Sequence, residues 1–255
     1  MNKLNQNKLY KIAIGVFSVL LWILIWYIAA RIFDFEIIFP GPKKTLNTLL
    51  YLITLSSFWK SVLYSFYRIV LGLLVGIVAG IVLTIISRLL IPIHTFISIG
   101  MSVIKSTPVA SIVLILWVLV DGAANLPVII AFLMVMPIIW QNLTDGFNSI
   151  DQSLVEVARV FQFSKSKTAR IVYFPTLLNH FIPALLTSIG LAWKAGISAE
   201  VIAYTKNSIG ASISDARANF DGDILFAWTL VVVGVSLLLE YIVRLLLRRF
   251  RSKNA

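Results

Sequence analysis

Two ionisable side chains, Lys194 and Glu200, stand inside the apolar run Thr176–Tyr204. Charged groups in such a run seldom face lipid, because exposure there costs several kcal/mol; they face protein or a water-filled path. A lysine in that setting attracts an anion, and the neighbouring indole of Trp193 offers a surface on which a ring can stack. Lys194, Trp193 and Glu200 are therefore the candidate pathway residues. Lys194 and Glu200, six positions apart, project from different faces of a helix and form no simple intrahelical pair. Two roles stay open for Lys194: contact with a small anion, or an ion pair with a carboxylate on another span, for which Glu240 is the candidate. Arg68, in an earlier apolar run, reads as structural or interfacial.

A second set lies in Val155–Pro175, a polar, basic island in an otherwise apolar chain. Glu156, Arg159, Lys165, Lys167 and Arg170 are spread through a helix–turn–helix pattern, so this segment lies outside the hydrocarbon and is solvated or bound to a partner. Val160, Phe161 and Phe163 are the apolar residues available as buried anchors, with Glu156, Arg159 and Lys165 at their rim.

Other chemistries lack their residues. Nothing matches a nucleotide-binding GxxxxGK[ST] or GxGxxG loop, so any ATP that drives this protein is hydrolysed by another chain. The sequence has no cysteine, and its two histidines, His94 and His180, are far apart, which makes a poor metal constellation. A nucleophile, base and orienter do not occur as a local set, so an enzyme is not expected. No cofactor is expected in this chain.

The elements that position these residues follow from composition. A chain of 255 residues with 59% hydrophobic and 13% charged residues and a mean hydropathy of +0.93 has more apolar surface than a soluble core of that size can hide. The expected fold is an all-α integral membrane protein. The formal charge of +11 comes from basic residues beside apolar runs, the pattern of topology signals and lipid headgroup contacts rather than of nucleic-acid binding.

About six transmembrane helices are expected: Ile12–Ala30, Trp59–Ile86, a short one near Pro108–Val120, Leu126–Asn142 with Pro137 inside it, Thr176–Tyr204 and Ile224–Leu247. Trp22, Trp26 and Tyr27 argue that the first run is retained rather than cleaved as a signal peptide. Phe39–Ile53 reads as a turn followed by an interfacial helix, with Lys43, Lys44, Thr45 and Asn47 on its polar flank. Ile91–Lys105 reads as interfacial or re-entrant, Asp121–Gly122 as a turn, and Thr205–Asp223 as a polar external loop. Gly72, Gly76 and Gly80 line one helix face and permit close approach of a neighbour.

Residues 1–11 and the basic tail 248–255 are expected in the cytoplasm, flanking a transmembrane domain over 12–247 whose loop at about 150–175 also lies inside. Arg31, Lys43, Lys44, Lys206 and Arg217 fall on the outer side, against the charge rule.

The stretch from Glu156, EVARVFQFSKSKTARIVYFP, resembles the "EAA" coupling loop of binding-protein-dependent ABC importer permeases, with Glu156, Ala158, Val172, Phe174 and Pro175 at matching positions. Val157 replaces the middle alanine and Gln162 stands at the glycine position, so the turn lacks its most permissive residue. In order along the chain, FPGPKKTLNTL, SFYRIVLGLLVGIVAGI, STPVASIVLILWV and LAWKAGISAEVIA resemble further motifs of the nitrate/sulfonate/taurine-type permeases. Within STPVASIVLILWV the second proline-type position holds Ser111 or Ile112.

That resemblance implies a type I ABC importer permease-like core. It implies a homodimer of permeases, a dimer of ABC ATPase subunits that binds MgATP, and an extracellular or periplasmic solute-binding protein that delivers a small anion, such as a sulfonate, nitrate or taurine, or a vitamin-like heterocycle. The bacterial inner membrane is the implied location. Glu156, Ala158, Arg159, Phe161, Gln162, Phe163, Lys165 and Pro175 become the implied ATPase-coupling residues. A secondary transporter and a non-transporting scaffold are the other readings; the first would show inverted repeats in matched halves, which are not found.

Overall fold

A computed structural model of the chain describes residues 3–33, 35–119 and 123–254. The turn expected at Asp121–Gly122 lies outside the described residues. The described residues are helical throughout their regular structure: α1 Lys3–Phe33, α2 Pro42–Ile53, α3 Ser56–Ser87, α4 Ile91–Ser106, α5 Val109–Leu119, α6 Leu126–Asn148, α7 Gln152–Val160, α8 Lys165–Thr168, a π-helical segment Ala169–Tyr173, α9 Phe174–Ala203, α10 Ile209–Ala218 and α11 Gly222–Asn254.

Among the described residues, five helical stretches are long and apolar enough to cross a membrane: Ala13–Phe33, Ser56–Ser87, Leu126–Asn148, Lys165–Ala203 and Gly222–Leu245. The sixth expected span is not a straight helix. There α5 covers Val109–Leu119 and follows α4 at a bend of 102°, and the two are long and apolar enough for a span only when taken together. Thr107 is extended at φ −79°, ψ 129°, as the residue before a proline prefers. The Val103 carbonyl accepts from the Thr107 N–H at 3.1 Å, the last backbone bond of α4, and from the Thr107 and Ser106 hydroxyls at 2.7 and 3.1 Å; Pro108, which has no N–H, gives none to the Ile104 carbonyl.

The chain divides into two compact units, Met1–Trp59 with Ser212–Val231, and Lys60–Ala211 with Val232–Ala255. In the first unit aromatic rings do much of the packing. Phe226 stacks on Trp26 at 5.9 Å and meets Phe39 edge-on at 5.3 Å, while Phe58 stacks on Trp228 at 4.8 Å. Thr48 donates to the Asp223 carboxylate at 2.8 Å. Thr45 is buried rather than on the polar flank of α2, because its hydroxyl turns back to the Gly41 carbonyl.

The second unit is built on α6, whose buried face includes Ile130, Val135, Ile139 and Trp140. Gly72, Gly76 and Gly80 lay the backbone of α3 against it. A methyl group on Gly72 would sit 2.3 Å from the Val128 carbonyl oxygen, and one on Gly76 or Gly80 2.8 Å from the Cβ of Val135 or Ile139. The four-residue glycine spacing is therefore a packing ridge, as its period requires. Met134 and Ile130 also join Val113 of α5 and Ala195 and Ala199 of α9 in one cluster, and Met136 and Trp140 join Met101 of α4 in another. Pro137 is accommodated inside a continuous α6.

The stretch 205–223 is not a loop throughout. It contains α10, with Ile209 and Ala211 buried. Small and polar residues hide this helix from a hydropathy reading, and its first turn is held by partners distant in sequence.

Candidate functional site

Between α6 and α9 the chain leaves the apolar bundle through α7, α8 and the π segment. Asp151 caps α7: its Oδ1 accepts from the Ser153 amide at 2.9 Å and from the Ser153 hydroxyl. These two bonds, the hydroxyl's first and the amide's second, hold the Asp151 carboxyl below its ordinary pKa.

The other end of α7 closes in a Schellman turn. The Phe163 N–H donates to the Ala158 carbonyl at 2.8 Å and the Gln162 N–H to the Arg159 carbonyl at 3.0 Å. Gln162 adopts φ 52°, so the position where the resemblance expects glycine keeps the glycine conformation with a glutamine in it. Ser164 then caps α8 by accepting from the Lys167 amide at 3.2 Å.

The capped helix turns two faces outward and inward. Ala158 is 3% exposed and Val155 half-buried, so the i, i+3 pair anchors α7 to its own chain. Leu154, Val157 and Phe161 lie at i, i+3, i+7 on an exposed face, beside Val160; Val160 and Phe161 are 79% and 69% exposed. Glu156, Arg159, Gln162 and Lys165 are exposed around them, as is Pro175 in the first turn of α9. Phe163 is half-buried, covered by the Lys167 ammonium 3.7 Å from its ring centroid.

The three candidate pathway residues occupy different environments. Trp193 is buried and its indole N–H donates to the Val232 carbonyl at 2.9 Å. Lys194 is exposed, on a stripe of α9 with Thr187, Leu191 and Ser198. Glu240 does not pair with it: that carboxylate is taken by Arg244, one turn along α11. Ion pairs among the described residues include no partner for Lys194.

Glu200 is 0% exposed and sits at the centre of a knot. Its Oε2 accepts from the Ser65 hydroxyl at 2.7 Å and from the Gly210 amide at 3.2 Å, while Ser65 Oγ accepts from the Ile209 amide at 2.9 Å. Arg68 closes the knot, with Nη1 3.9 Å from Glu200 Oε1 and its guanidinium donating to the Asn207 and Lys206 carbonyls at 3.4 Å. The carboxylate thus joins α3 to the N-terminal turn of α10, where negative charge is favoured. Ser65 and Gly210 were not singled out by sequence; the one available signal is a hydroxyl in the apolar α3.

A family model described as "Binding-protein-dependent transport system inner membrane component" matches residues 72–252. The chain is 37% identical over 108 residues to the bicarbonate transport system permease protein CmpB of Synechococcus elongatus, an alignment covering 42% of this chain and 38% of that protein. It is 30% identical over 111 residues to the aliphatic sulfonates transport permease protein SsuC of Bacillus subtilis, covering 44% and 40% of the two chains. It is 27% identical over 104 residues to the taurine transport system permease protein TauC of Escherichia coli, covering 41% and 38%. These alignments therefore span about two fifths of the relatives' own length. A crystal structure of an amino acid ABC transporter with histidines shares the fold at a TM-score of 0.61 and 16% identity, over 82% of this chain and 97% of that one. The ordered motifs, the capped segment between α6 and α9, the shared fold and the match over 72–252 agree: the chain belongs to the family of binding-protein-dependent transport system inner membrane components.

Proposed function

We propose that the chain is the permease subunit of an ATP-driven importer and that α7 is the contact through which a separate ATPase drives it. The observation that carries this reading is a nine-residue helix, stopped at both ends, that presents Leu154, Val157, Val160 and Phe161 outside the apolar bundle. Exposed apolar residues at one helix face fit a groove in a partner, with Glu156, Arg159 and Lys165 as a polar rim. Because α7 joins α6 to α9, and these two helices pack against each other, closure of two ATPases on MgATP would move both spans together. Gln162, Phe163 and Pro175 shape the segment, and Ala158 fastens it.

In this reading two permease copies enclose the pathway, both termini are cytoplasmic in a bacterial inner membrane, and a solute-binding protein delivers the substrate outside. Lys194, with no carboxylate partner among the described residues and on an exposed stripe with Thr187 and Ser198, is the contact for a small anion, a class that fits the bicarbonate, sulfonate and taurine named for the relatives. Trp193 fixes the helix that carries it and Glu200 the neighbouring turn.

The test is uptake by cells carrying Val160→Asp or Phe161→Asp. Each variant inserts at the wild-type level and loses substrate uptake. Wild-type uptake by both would overturn the assignment of α7.

A further inference from the structure

A groove between α3, α6 and α9 has a cavity of about 310 Å3 lined by Ile81, Ile85, Leu143, Phe147, Leu178 and Phe181. Its lining is apolar but for the Thr84 hydroxyl, which is occupied by the Gly80 carbonyl at 2.7 Å. Phe147, Phe174 and Leu177 also line a second hollow, which adds Arg170 and Tyr173, so an apolar slot continues into a basic mouth. Arg88 flanks the same ring: its Cζ lies 5.0 Å from the Phe147 centroid while Nη1 donates to the Asn148 amide oxygen at 2.9 Å.

Among the described residues the ion pairs are Arg68 with Glu200 and Arg244 with Glu240, so neither Arg88 nor Arg170 meets a carboxylate. Arg170 lies in the π-helical segment Ala169–Tyr173, a distortion that commonly accompanies function.

We propose that this groove holds one anionic phospholipid, with an acyl chain in the slot and its phosphate at the Arg88 and Arg170 mouth. An apolar slot ending in basic residues beside the membrane surface matches the two halves of such a molecule. Guanidinium groups suit phosphate oxygens because their donors form a planar fork. A small free anion uses the mouth but leaves the slot without an occupant, and a zwitterionic lipid fills the slot but brings no net charge to the mouth.

The experiment is thermal unfolding and native mass spectrometry of the full chain in a mild, uncharged detergent after delipidation. Phosphatidylglycerol, phosphatidylcholine and glycerol 3-phosphate are added separately. Phosphatidylglycerol raises the melting temperature and leaves one retained lipid mass; the other two do neither. The double substitution Arg88→Gln with Arg170→Gln weakens retention about tenfold, whereas Arg244→Gln has no effect. Leu178→Trp, which fills the slot and keeps both arginines, also abolishes retention, and it decides the question if the double variant does not fold.

Equal retention of phosphatidylcholine, or full retention of phosphatidylglycerol by the double variant or by Leu178→Trp, overturns the proposal. A shift by glycerol 3-phosphate equal to that by phosphatidylglycerol assigns the mouth to free phosphate and overturns the lipid site.

Discussion

Replacing Gln162 by glycine should tighten the end of α7, and replacing it by valine should loosen it. Gln162 sits at φ 52°, a left-handed conformation that costs an L-residue about 1–2 kcal/mol. Glycine removes that cost but loses about 0.5–1 kcal/mol of backbone entropy on ordering. The net gain is about 0.5–1 kcal/mol for the turn. Valine, branched at Cβ, is a poorer fit to this region than glutamine. The two amides that close the turn, those of Gln162 and Phe163, report on it directly through hydrogen exchange. In Gln162→Gly their exchange slows by about two- to fivefold, since 1.4 kcal/mol is tenfold; in Gln162→Val it quickens. Phosphatidylglycerol nanodiscs keep the rest of the protein in the same state for all three. Faster exchange in the glycine variant, or unchanged exchange in the valine variant, would refute the account of how α7 ends.

Gly76→Ala brings a Cβ to 2.8 Å from that of Val135 and should cost about 1–3 kcal/mol as overpacking, lowering the melting temperature in detergent. Gly234→Ala, with nothing within 4 Å, should leave that temperature unchanged or raise it. Glu200→Ala strands the Ser65 hydroxyl and Gly210 amide at about 1–3 kcal/mol, so it destabilises the fold, whereas Lys194→Met abolishes anion uptake without altering the melting temperature. The reverse pattern would exchange their roles. Asp151, whose folded-state pKa is depressed, contributes stability that is present above its ordinary pKa and lost as the pH falls through the lowered one. Protection of the first-turn amides of α7, their exchange taken relative to the intrinsic rate at each pH, should accordingly fall on acidification in the wild type, and Asp151→Asn should remove that dependence.

Several features were readable in the residues because their signals are local. The glycine ridge of α3 announces itself through a spacing of four, and the basic island between α6 and α9 through its polarity. The partners of those features were not readable. Nothing near Gly76 names Val135, and nothing near Gln162 says that a glutamine would hold the left-handed turn. The suggested pairing of Lys194 with Glu240 failed because Arg244, one turn from Glu240 on α11, is the nearer cation. The helix α10 escaped notice since its composition is that of a loop, and its first turn is secured by Glu200 and by Ser65, the latter 144 positions before Ile209. The bend between α4 and α5 was legible as a proline, but its angle of 102° was not, because a proline marks a break without setting its direction.

The central claim is that an ATPase subunit grips α7, and binding tests it more directly than uptake. The permease is purified from cells in mild detergent, and the ATPase activity and mass of the retained subunit are measured beside those of Val160→Asp and Phe161→Asp. The account predicts a retained ATPase with the wild type and its loss from both variants, with unchanged permease yield and melting temperature. Retention by both variants at the wild-type level would contradict it.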